Sequence, residues 1–197
     1  MTQRAFQGAL ARLVIDPVFR DLVRSSGAAT LGSELTSLEQ LRLTALVDEK
    51  GLDATRMLHK SFRLTKLYAT LPLTRRLMGP INLAREVSAF WSANTSDSHY
   101  FLAEAIAFCD FLLERVRSGL EVEYLDEVVA YERAALNLRR VLRDGESRQP
   151  EVIYFRHDAT ALFEHLVEGK QHVGVRERAC KLVGVVNESG EVEWTVD

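Results

Sequence analysis

Five histidines, two cysteines and a scatter of carboxylates are the residues of this 197-residue chain whose chemistry could extend beyond packing. His59, His99, His157, His165 and His172 fall without an HExxH, HxH or His/carboxylate facial spacing, the patterns that gather metal ligands on one face of an element. The nearest grouping is Glu164, His165 and His172, and an expected helix end separates the third from the first two. A surface or capping role is therefore expected, and no metal site is assigned. Cys109 lies in an apolar helical pattern and Cys180 beside a β-prone run, without CxxC spacing, so both read as reduced packing residues. There is no GxSxG elbow, no GxxxxGK[ST] loop and no GxGxxG after a strand. Glu127 and Glu132 stand five apart on one expected helix, which turns them to different faces and leaves no ready acid/base pair. The expectation is a protein without catalytic residues of its own and with no cofactor bound in this chain.

Charge is distributed more informatively. Between Ala54 and Arg85 there are seven bases (Arg56, Lys60, Arg63, Lys66, Arg75, Arg76, Arg85) and no acid, whereas Glu121 to Glu132 holds five acids and no base. Arg56, Lys60 and Arg63 follow i, i+4, i+7 and so form a stripe on one helix face. The two runs pair with each other or are simply solvated, or else the stripe is a docking face for an acidic partner. The formal net charge of −3 argues against a nucleic-acid partner, which normally calls for a basic excess.

These residues must be positioned by helices over most of the chain. A composition of 47% hydrophobic and 27% charged residues suits a folded globular protein. Apolar residues recur at three- and four-residue spacing through the first 145 residues, and strand-like alternation is missing there. Asp16-Pro17 ends a first helix and caps a second, and Ser25-Ser26-Gly27 closes that one. Thr36 with Glu39, and Ser37 with Gln40, are capping-box patterns for a third. A fourth helix is expected from about Asp53 to Leu71, and a fifth after Gly79-Pro80. A polar loop is expected at 94–98, followed by two long helices through Leu102–Val116 and Leu125–Leu142. No apolar run reaches the roughly 18 residues of a membrane span, and the N-terminus lacks the features of a secretory signal. A cytoplasmic address without membrane contact is expected.

The segment Asp144 to Pro150 changes the texture of the chain and divides an expected helical body, 1–145, from a C-terminal α+β module, 150–197. In that module Val152–Phe155 is β-prone, Asp158 caps a short helix that Gly169 stops, and Lys181–Val186 with Val192–Val196 signals a hairpin. The predicted fold class is mainly α, a multi-helix body with a small strand-helix-hairpin module. Nine acids against five bases beyond Pro150 argue against a DNA groove reader. The hairpin either packs on the helices only or offers an edge that accepts an extra strand from a peptide. For that peptide the candidate contacts are Tyr154, Phe155, Arg156, Val183, Val185 and Trp194, with Arg156 facing an acidic side chain. Arg56, Lys60 and Arg63 are the candidates for partner docking.

Two segments carry a resemblance: Leu71-Pro72-Leu73-Thr74-Arg75-Arg76-Leu77-Met78-Gly79 and Tyr124-Leu125-Asp126-Glu127-Val128-Val129-Ala130-Tyr131-Glu132-Arg133-Ala134. They resemble a bacterial family first labelled DNA-binding and better described as partner proteins of multinuclear non-heme iron oxidative enzymes, which modify ribosomally made peptides in methanobactin and 3-thiaglutamate pathways. Phe155-Arg156-His157-Asp158 with Leu162 and Gly169 is similar to the strand-helix unit in the C-terminal part of such partners. The short helices of the first 50 residues are also similar to the small helical subunit of extradiol dioxygenases. The resemblance implies an accessory subunit that binds the leader of a precursor peptide and the companion enzyme. The iron and the chemistry would belong to that enzyme. The alternative reading is a helical DNA-binding regulator using Arg56 to Arg85, which the acidic total and the missing helix-turn-helix signature disfavour.

Overall fold

The computed structural model describes residues 3–93, 101–144, 149–169 and 174–197. The described chain is mainly α-helical, with a three-stranded antiparallel sheet near the C-terminus. It divides into two compact units, Met1–Thr65 and Lys66–Asp197.

The first unit holds α1 (Gln3–Ile15), α2 (Pro17–Ser26), a short 3-10 turn, α3 (Ser37–Leu46) and the start of α4 (Lys50–Thr70). Its boundaries follow the expected caps. The Asp16 carboxylate accepts from Phe19 N at 2.9 Å with Pro17 opening the helix, and Gly27 ends α2 at φ 68°. Thr36 and Glu39 form the reciprocal capping box of α3. Leu13, Phe19, Val23, Leu31, Leu35, Leu43, Val47 and Leu52 make its core.

The second unit contains α5 (Pro72–Ala93), α6 (Phe101–Arg117), α7 (Leu125–Asp144), β1 (Glu151–His157), α8 (Ala159–Glu168), β2 (Glu177–Val186) and β3 (Val192–Val196). Gly79 takes φ 73° and ψ 163°, which are not helical, so α5 is two helical segments meeting at a kink where the Gly79-Pro80 break was expected. The expected loop at 94–98 lies outside the described residues. Phe90, Phe108 and Phe111 pack with ring centroids 5.3 to 6.1 Å apart, joining α5 to α6. Burial pushes the Cys109 thiol up, which keeps it protonated and inert. The division of the chain falls at Thr65/Lys66 and not in the 145–150 segment, because Ile153, Phe155 and Leu182 of the sheet share one core with Tyr124, Val128 and Ala134 around α7.

Strand order is β1-β2-β3, with Val152 opposite Val183 and Gly184 opposite Trp194. Glycine at 184 is required by a close approach. A Cβ there would lie 2.6 Å from the Trp194 ring and 2.9 Å from Leu138 Cδ1. Gly184→Ala is expected to cost about 1–3 kcal/mol by overpacking, read as a lower urea midpoint in tryptophan fluorescence.

Candidate functional site

Antiparallel ladders alternate between pairs that exchange hydrogen bonds and pairs that do not, so the bonded pairs reveal which groups point away from a sheet. Lys181 and Asp197 exchange bonds of 3.0 and 2.8 Å, and Asn187 N donates to Glu191 O at 2.9 Å. With the observed register, Val183/Thr195 and Val185/Glu193 are the intervening bonded pairs. The N–H and C=O groups of Val192, Trp194 and Val196 therefore face outward along β3. Among the described residues no partner takes those N–H groups.

The same alternation across β2 turns the main-chain groups of Val152, Tyr154 and Arg156 outward along β1. That edge is partly closed, because Arg156 N donates to the Glu127 carboxylate of α7. One carboxylate oxygen also takes Arg156 Nε at 3.3 Å, and the other meets His157 Nδ1 at 2.9 Å. Glu127 is thus a buried clip that fixes the end of β1 to α7, with its side chain only 3% exposed. Tyr124 supports it at φ 62°, its ring edge-on to His157 at 4.8 Å and its hydroxyl accepting from Val175 N at 3.0 Å.

These facts sort the six peptide-binding candidates. Phe155 is buried in the core, and Trp194 lies half-buried on the same side, 4.9 Å from the Tyr131 ring. Tyr154, Arg156, Val183 and Val185 belong to the opposite face, where Tyr154 is 75% exposed. Val183 and Val185 sit on β2, which is the central strand, so neither offers an edge to a peptide. Arg156 is not a free anchor for an acidic side chain. Its guanidinium holds Asp126 at 2.7 Å as well as Glu127, and these acids, Asp126 foremost, raise its pKa above the ordinary value.

The docking stripe changes in a similar way. In the first unit the Arg56 side chain is 14% exposed and pairs at 3.5 Å with Asp53, which also binds Arg20. Lys60 is exposed and Arg63 half-buried. Of the acidic run of residues 121–132, Glu121 and Glu123 are exposed and the other three acids are engaged within the unit. Asp126 and Glu127 hold β1, and Glu132 accepts from Leu73 N at 2.7 Å and Thr74 N at 3.0 Å.

Glu86, Glu104, Glu127 and Glu132 are buried, yet each serves a different neighbour. Glu86 meets Arg115 at 3.0 Å, and Glu104 takes the Trp91 indole N–H at 2.8 Å. No group of three or more His, Cys, Asp or Glu among the described residues could hold a metal. His99 and His172 lie outside the described residues, so of the Glu164-His165-His172 grouping only Glu164 and His165, on α8, are described. The Glu127–His157 pair has the geometry that orients an imidazole, but no described hydroxyl or thiol hydrogen-bonds to that ring. No described helix is long and apolar enough to cross a membrane. The sequence matches no protein-family model and no curated protein.

Proposed function

We infer that this chain is a non-catalytic partner subunit that binds the leader of a ribosomally made precursor peptide and presents it to an iron-dependent oxidative enzyme in natural-product biosynthesis. The single observation that supports this most is the outer edge of β3, where Val192, Trp194 and Val196 direct unpartnered N–H groups outward. An extended peptide adds to such an edge by continuing the ladder.

Backbone pairing alone is too weak to hold it. A six-residue strand spans about 20 Å, and each of some five or six new hydrogen bonds yields a net ~0.5–1.5 kcal/mol. Ordering the peptide costs about 2–5 kcal/mol, so side chains must supply the remainder of a micromolar affinity. On the core side these contacts come from Val192, Trp194 and Val196. The segment from Asn187 to Asp197 adds Glu188, Glu191, Glu193 and Asp197 without a base. A basic leader strand fits this edge, in place of the acidic one first expected from Arg156.

The test is co-expression with neighbouring genes that encode a barrel-type iron enzyme and a short cysteine-containing peptide. A stable ternary complex, with labelled precursor binding that weakens as salt rises, is the expected result. The isolated chain is expected to show no turnover and no stoichiometric iron by elemental analysis. Failure of the precursor to bind, or iron in the isolated chain, overturns the reading.

A further inference from the structure

The first unit carries a feature that the peptide-binding reading does not use. A groove of about 830 Å³ opens between α1, α3 and the start of α4, within the size range of specific binding sites. Phe6, Leu10 and Val14 line it from α1 at i, i+4 and i+8, while Leu13 on another side of that helix is sealed in the core. Leu46 and Leu52 complete an apolar floor. Outside the groove lining, α3 also leaves Leu38 57% and Leu41 66% exposed. Exposed apolar surface grouped in this way marks an interaction site more often than a solvated face.

Charge decides the occupant. Several arginines of this unit are paired: Arg12 with Asp16, Arg20 and Arg56 with Asp53, Arg24 with Asp21 and Asp48. Arg42 and Glu49, which both line the groove, are exposed and make no ion pair within 4 Å among the described residues. The groove therefore presents one cation and one anion beside an apolar floor. A fatty carboxylate would use Arg42 and be repelled by Glu49. A helix has room for both signs, with its apolar stripe facing the floor and an acid and a base flanking it.

We propose that this groove docks an amphipathic helix of a partner protein, whose acidic and basic flanking residues pair with Arg42 and Glu49.

The probes are three synthetic labelled helices with the same leucine stripe at i, i+4 and i+7, flanked by one glutamate and one lysine, by two glutamates, or by two lysines. Anisotropy titration of the full chain is expected to favour the mixed peptide over either single-sign peptide by roughly three- to tenfold. Arg42→Glu is expected to shift the preference to the dilysine peptide, and Glu49→Lys to the diglutamate peptide. Both positions are exposed, so a cooperative thermal transition is expected to persist, lowered slightly in Arg42→Glu by repulsion from Glu39. Comparing sign counts makes the outcome independent of the direction in which the helix lies. Binding of none of the peptides, equal binding of all three, or preferences that ignore the substitutions overturns the proposal. So does displacement of the mixed peptide by a fluorescent fatty acid, or a concentration-dependent dimer that Leu41→Glu abolishes.

Discussion

Glu132→Ala is expected to destabilise the second unit by about 2–4 kcal/mol, although the residue lies on neither candidate binding surface. α5 begins with Leu71 as its cap residue, since Arg75 N donates to Leu71 O. Leucine has no side-chain acceptor, and Pro72 at the first helical position has no N–H. The next two donors, Leu73 N and Thr74 N, are taken by the two oxygens of Glu132 reaching across from α7. Removing the carboxylate strands both donors in an enclosed site, at about 1–3 kcal/mol each. Relief of the buried charge offsets part of that loss. Trp91 and Trp194, the chain's two tryptophans, both belong to this unit, so urea unfolding followed by tryptophan fluorescence isolates it. An unchanged midpoint would remove the capping role.

The same group predicts a pH dependence. Desolvation raises the Glu132 pKa above the ordinary glutamate value, opposed by the hydrogen bonds it accepts. Between the unfolded and the raised folded pKa the native state holds the proton more often than the unfolded chain. Stability attributable to this residue therefore falls as pH rises through that window and is level above it. Asp53 and Asp158, whose pKa values are lowered chiefly by hydrogen bonds from Arg20 and from Ala161 N, contribute with the opposite sign and at lower pH. The difference between wild type and Glu132→Gln should carry the falling slope alone.

Local signals in the sequence were sufficient for the helix caps at Asp16, Thr36 and Asp158, because capping depends on residues within one turn. They were also sufficient for the hairpin and for the mainly α class. Strand β2 begins at Glu177, earlier than its apolar run, since Glu177 to Cys180 are held by pairing with β1 and not by their own propensity. The two structural glutamates were visible only obliquely. Glu127 interrupts the apolar run of Leu125, Val128 and Val129, and a helix opening at Leu71-Pro72 without a Ser, Thr, Asp or Asn cap implies an acceptor from elsewhere. Which acid supplies it depends on tertiary packing, which periodicity does not encode. For the same reason Arg56 read as part of a free stripe: Asp53, its partner, stands just before the run in which only bases were counted.

Blocking the outer edge of β3 should reduce precursor affinity at least tenfold while leaving the fold intact. Proline is tolerated on an edge strand where the lost N–H faces away from the ladder. Val192 and Val196 meet that condition, because Thr195 and Glu193 carry the bonds to β2. Val192→Pro with Val196→Pro removes two outward donors and sets a ring against the incoming strand, a loss of about 1–3 kcal/mol in hydrogen bonding alone. Proline at Val183 or Val185 is no substitute, since those N–H groups belong to the bonded pairs with β3 and their loss would break the sheet itself. Phe155→Ala is equally uninformative, because it empties the core. The control is Val152→Pro, which removes an outward donor on β1, the edge that Glu127 already closes at Arg156. Titration of labelled precursor into the three proteins, with circular dichroism to confirm the fold, separates the edges. Loss of binding in the β3 variant alone is the expected pattern; loss in the Val152 variant alone would move the peptide to β1, and full binding in both would remove the sheet edge from recognition.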